Sequence, residues 1–202
     1  MKNFSILVIC FLLAFSACGS DGDDDDKTYK IGDTGPGGGI VFYVSDKGFD
    51  FYTGNTADDN SKQTCHYLET APKSTEWTST AWGPLDKLVS GTETDIGHGR
   101  RNTKIIVAFL KVEGESGTAA QLCNALDYGG YKDWFLPSKD ELELIYENLY
   151  KKGFGDFADG SVAYWSSSED DSYNAWGQDF DDGAQYGSGK TNAGQVRAVR
   201  AF

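Results

Sequence analysis

The chain is poor in the residue types that most directly announce chemistry. Its 202 residues include only four Cys, two His, one Met and four Pro. Cys10 falls in the N-terminal leader and Cys18 directly follows it, so Cys65 and Cys123 are the only thiols of the body. With only His66 and His98 beside them, a Cys/His zinc site is not expected. Basic residues are scarce too: 18 Lys and Arg stand against 31 Asp and Glu, for a formal net charge of -13. Binding a polyanion gains from neutralising its charge with Lys and Arg, so this balance argues against nucleic acid as a partner. Long apolar runs are missing. Residues 5–15 (SILVICFLLAF) are too few to cross a bilayer as a helix. The run GPGGG at 35–39 is followed by no G-K-[ST] and no sustained G-X-Y period, which excludes a phosphate loop and collagen. Ser166, Ser167 and Ser168 stand in a row, but nothing in the sequence supplies a base for a serine nucleophile.

What is present begins with an address. Lys2 and the apolar run lead to Phe15-Ser16-Ala17-Cys18, which resembles a bacterial lipobox. The resemblance implies removal of residues 1–17 and lipidation of Cys18. An ordinary secretory leader with an incidental Cys is the alternative. Asp21 and Asp23 to Asp26 follow, a segment that buries nothing and repels itself, expected to be a solvated tether over 18–27. It is similar to the acidic stretch after the lipidated cysteine in surface-exported lipoproteins of Bacteroidetes. That implies an outer-membrane anchor with the protein facing the exterior, the periplasmic face being the alternative. Residues 28–202 remain as one domain. In an oxidising compartment Cys65 and Cys123 make an even pair, and a disulfide between them is expected. It would contribute about 4 kcal/mol by loop entropy; two buried thiols are the alternative.

The clearest local signal runs over 129–149, GGYKDWFLPSKDELELIYENL. Trp134, Phe135 and Leu136 read as a short strand that Pro137 ends. Ser138 then opens a helix, with Glu141 three residues on completing a capping box. Leu142, Ile145, Tyr146 and Leu149 share one face. Two earlier helices are expected over 101–112 and 118–126. Strands are expected at 40–44, with a hairpin partner at 49–53, and at 65–69, 163–167, 174–180, 184–186 and 196–202, with a turn at Asp181-Asp182-Gly183. Helices in the middle and antiparallel strands at the end make the class α+β.

The motifs GGYKDWFLPSKDELELIY, YWSSSE, AWGQDFDDG and VRAVRAF, with IGDTGPGGGIVFYV and YLETAP upstream, resemble the DUF1566 family. It is also called the Lcl C-terminal domain, after a Legionella collagen-like adhesin. The resemblance implies a C-type-lectin-like fold with about three helices and paired N- and C-terminal strands, related to the formylglycine-generating, sulfatase-modifying architecture. That enzymatic chemistry needs a late cysteine pair, and no cysteine follows Cys123. The implied function is therefore non-catalytic capture of a glycan or a protein. A structural or assembly role at the outer-membrane surface is the alternative. Trp134, Leu136, Pro137, Ser138, Glu141, Trp165 and Arg197 are expected to hold the fold, with Arg197 or Arg200 paired to Glu141 or Glu169. Ligand contacts are expected from Glu169, Asp170, Asp171, Trp176, Asp179, Asp181, Asp182 and Tyr186. Their dense carboxylates also admit Ca²⁺ as a cofactor.

Overall fold

In a computed structural model the described residues are 27–158, 160 and 162–202. The leader, Cys18 and the tether apart from Lys27 lie outside them. Among the described residues there are three α-helices and eight strands in two sheets. The first sheet holds β1 (Ile40–Tyr52), β2 (Lys62–Thr70) and β8 (Val199–Ala201), in the order β1-β2-β8. The N- and C-terminal strands thus share one sheet, with β8 hydrogen-bonded to β2. The second sheet runs β3 (Trp77–Thr80), β7 (Gly194–Val196), β4 (Tyr164–Glu169), β5 (Asn174–Gln178), β6 (Gln185–Gly189). Its β4–β7 pair is parallel and the rest antiparallel. The class is α+β.

The helices α1 (Gly99–Glu113), α2 (Ala119–Ala125) and α3 (Lys139–Asn148) lie close to the expected spans. Ser138 and Glu141 form the reciprocal capping box, and Gly153, at φ 75°, closes the turn that follows α3. Two apolar clusters fill the interior. One gathers Trp82, Ile106, Leu110, Cys123, Trp134, Trp165 and Val196 between α1, α2 and the five-stranded sheet. The other gathers Phe42, Phe51, Leu68, Phe135, Leu142, Ile145, Leu149 and Tyr164 between β1, β2 and α3.

Four expectations are corrected. Residues 40–44 and 49–52 are not hairpin partners; they belong to one strand, β1, and both pair with β2. The chain bulges between Val44 and Phe49, where Gly48 takes φ 75°, instead of reversing. Trp134 to Leu136 form no regular strand, only a bridge of Phe135 to Val199. The segment 196–202 is not one strand. It crosses from β7 to β8, from one sheet to the other, with residues 196–201 all buried. Finally, Cys65 and Cys123 are not bonded to each other. Both are buried, but Cys65 belongs to the second cluster and Cys123, on α2, to the first.

Candidate functional site

The residues of the signature motifs point inward. Trp165 is buried and its indole N–H donates to the Thr80 carbonyl; the Trp134 indole N–H donates to the Tyr128 carbonyl. Leu136 is buried and its backbone N–H meets Thr103 Oγ1; the Pro137 carbonyl accepts both N–H and hydroxyl of Ser167. The other two serines of the triplet likewise donate to carbonyls, Ser166 to Trp176 and Ser168 to Glu93. These hydroxyls hold backbone and face no base.

Buried charge completes the framework. Arg197 reaches Glu76 at 2.6 Å, and the Tyr164 hydroxyl donates to the same carboxylate. Arg200 reaches Glu69 at 2.9 Å and Asp133 at 3.0 Å, so neither arginine meets the partner expected from the sequence. The glycine run has its purpose here: Gly37 and Gly39 donate their N–H groups to the Glu69 carboxylate. Glu169 is internal as well, paired with the fully buried Lys190 while accepting the N–H groups of Val89 and Ser90. Glu141 accepts from Gly97 and Ser138, and burial pushes its carboxyl up to about 7 against those donors. Burial also raises the Cys123 thiol, which suits a packing residue and not a nucleophile.

What remains for a ligand is the β5–β6 hairpin. Trp176 alternates with the buried Ala175 and Gly177, so its indole stands on the outer face. The Lys139 ammonium lies 3.4 Å from the centre of that ring. Opposite Trp176 on β6 is Gly187, where a side chain would run into the Asp170 carboxylate. Gln185 fixes the start of α3 by donating to the Lys139 carbonyl at 2.9 Å. A half-buried aromatic ring, a cation, a carboxamide and an exposed carboxylate thus lie together, a set that stacks on and hydrogen-bonds to a polar ligand.

The expected ligand residues do not converge on one point. Asp170 and Trp176 lie together, while Asp171 accepts the N–H groups of Tyr173 and Asn174 in a local turn. Asp179, Asp181 and Asp182 sit at the far end of the hairpin, where Asp179 accepts from Asp181 N–H and Asp182 from Ala184 N–H. Tyr186 is exposed there, its phenol pKa raised by burial and then by Asp179 and Asp182. Among the described residues no group of three or more His, Cys, Asp or Glu is arranged to hold a metal ion. Sequence reasoning missed Lys139, Gln185 and Gly187. The first follows a helix cap and the others lie in a featureless strand, so only the pairing register brings them to Trp176. A second polar concavity, lined by Arg100, Lys104, Lys132 and Trp134, encloses about 90 Å³. That is well below the roughly 300 Å³ at which ligand pockets begin.

Comparison with known proteins bears on the fold and the family. The family model described as "Lcl C-terminal domain" matches residues 75–200. No curated protein matches the chain. Among solved structures, a fimbrial protein from Bacteroides ovatus ATCC 8483 is similar, with a TM-score of 0.55 and 16% identity. The match covers 81% of this chain and 44% of that one, so the chain spans less than half of that structure.

Proposed function

The chain belongs to the Lcl C-terminal domain family, and from that premise we propose a non-catalytic binding module, held at the outer surface of the cell by a lipid on Cys18. Its ligand is a glycan or a protein, taken on the outer face of the β5–β6 hairpin. The observation that carries this reading is the division of polar groups. The motif serines, arginines and glutamates are engaged inside the fold, whereas the Trp176–Lys139–Asp170 group is partly open to solvent, with Trp176 and Lys139 half-buried and Asp170 exposed. Half-buried aromatic and amide groups that reach the surface suit sugar faces and hydroxyls without any reacting group. A structural role at the outer-membrane surface is the second reading, favoured by the fold shared with a fimbrial protein.

A glycan array tests the first reading, run on residues 28–202 with calcium and again with chelator. Binding lost in Trp176→Ala, with the variant still folded, is the expected result. Dependence on calcium would add a cation held by the acidic turns. A blank array from folded protein would overturn the glycan ligand and leave a protein partner.

A further inference from the structure

The two sheets have four edges, and three of them are covered or broken. Outside β8, Phe135 exchanges backbone hydrogen bonds with Val199 at 2.8 and 2.9 Å. Outside β1, Gly32 and Asp33 bond to Val41 at one end and Gly97 to Tyr52 at the other, and the strand has two register shifts. The edge strand β3 has four residues, a register shift and Ser79 at φ 54°. These are the usual devices that keep a strand from pairing with another chain.

β6 has none of them. Its five residues, QYGSG, pair with β5 in unbroken register and include no charge and no proline. The ladder shows which groups face outward. Asp179 N–H bonds to Ala184 O and Lys190 N–H to Tyr173 O, one at each end of the hairpin. Hydrogen-bonded and non-bonded pairs alternate along an antiparallel ladder. Tyr186 and Ser188 therefore bond to β5, while Gln185, Gly187 and Gly189 turn their N–H and C=O groups away from it. Of these, the Gly189 carbonyl is taken by Asn192 N–H. Among the described residues, no backbone hydrogen bond engages the outward groups of Gln185 and Gly187. Acidic side chains bracket this edge. Asp170, beside Gly187, and Asp171 stand at one end; Asp179, Asp181 and Asp182 stand at the other.

We propose that the β6 edge receives an extended segment of a partner protein as a sixth strand. The segment has an uncharged middle and Lys or Arg at both ends. Main-chain hydrogen bonds to Gln185 and Gly187 supply the binding, and the flanking aspartates select the charge. A second copy fits poorly, because each acidic bracket would face another on a chain of net charge -13. Gly187 and Asp170 also border the Trp176 face, but the edge is read through main-chain groups by an extended peptide, so a blank glycan array leaves this proposal standing.

The test is fluorescence anisotropy with full-length protein and the peptide KKTVTVTKK. Two controls replace its central Thr with Pro, or its four Lys with Glu. The Lys-flanked peptide is expected to bind at least about tenfold more tightly than either control. Gly187→Pro removes an outward N–H without removing a β5 ladder bond, and its ring also pushes the Asp170 carboxylate aside; both changes act in one direction, and binding is expected to weaken about tenfold. Amide exchange on the unaltered protein gives an independent reading. Bound peptide is expected to slow Gln185 and Gly187, while Tyr186 and Ser188, already bonded to β5, stay unchanged. Equal binding of all three peptides, no binding at about 1 mM, or unchanged exchange at Gly187 would each overturn the proposal. Concentration-dependent dimerisation without peptide binding would overturn it in favour of a second copy.

Discussion

The buried glutamates and the hairpin aspartates carry the same charge to different ends. Glu69, Glu76, Glu141 and Glu169 have side chains at most 5% exposed, and each joins segments far apart in the chain. Glu69 ties the glycine run to Arg200; Glu141 ties α3 to the loop before α1. Most aspartates of the hairpin act locally, Asp181 excepted, which accepts the N–H of Gly160. Asp171, Asp179 and Asp182 each accept a backbone N–H two residues ahead. The longer side chain reaches across the fold, and the shorter one closes its own turn. A strongly acidic composition is therefore not one signal here. It records staples in one region and turn caps in another.

The sharpest way to break that comparison is to remove a staple. Glu69→Ala leaves Arg200 buried with only Asp133, and leaves the Gly37 and Gly39 N–H groups without their acceptor. Breaking a buried pair on one side costs about 3–5 kcal/mol, because a charge stays behind unpaired. Urea denaturation is expected to show a loss of that size. A loss under about 1 kcal/mol would mean that the pair is solvated and that the glutamates are no different from the aspartates.

The capping box was legible because it is local: Ser138 and Glu141 lie one helical turn apart and need no knowledge of the rest. The second task of Glu141 was not legible, since Gly97 is 44 residues away and nothing in its neighbourhood marks it. The segment 196–202 read as one strand. It crosses between the sheets instead, and Arg197 and Arg200 find carboxylates on loops and strands more than 60 residues distant. The cysteine pair misled for a related reason. Count and compartment say nothing of which cluster each thiol joins. Of the candidate site, the sequence showed Trp176 and its acidic surroundings, while Lys139 and Gly187 reach it only through tertiary packing and strand register.

A second, smaller test uses the pH dependence of the Glu141 staple. Burial raises its carboxyl from 4.5 to about 7. Between those values the folded protein keeps a proton that the unfolded chain has released, so stability falls as pH rises through this window. The difference amounts to on the order of 3 kcal/mol at its full extent. His98 works in the opposite sense, because burial and then Arg101 lower its pKa, so its contribution is lost as pH falls. Glu141→Gln separates the two. The stability of the unaltered protein minus that of the variant is expected to decline from pH 4.5 to 7. A flat difference would mean that the three N–H donors, from Ser138, Gly97 and Gly99, outweigh burial and keep the carboxylate ionised.

The smallest expected effect belongs to the surface side of the comparison. Asp170 is exposed, and its carboxylate lies over Gly187 at the open edge of β6. Asp170→Asn keeps the shape and removes the charge. Stability is expected to change by no more than about 0.5 kcal/mol, as for most exposed positions. Binding of a Lys-flanked strand is expected to weaken by a few-fold, since one of the charges bracketing the edge is gone. A stability loss comparable to that of Glu69→Ala would make Asp170 a staple as well and erase the distinction between the two regions. Unchanged stability with weakened binding would place the dividing line between adjacent residues: Glu169 turned inward to Lys190, and Asp170 turned outward to a partner.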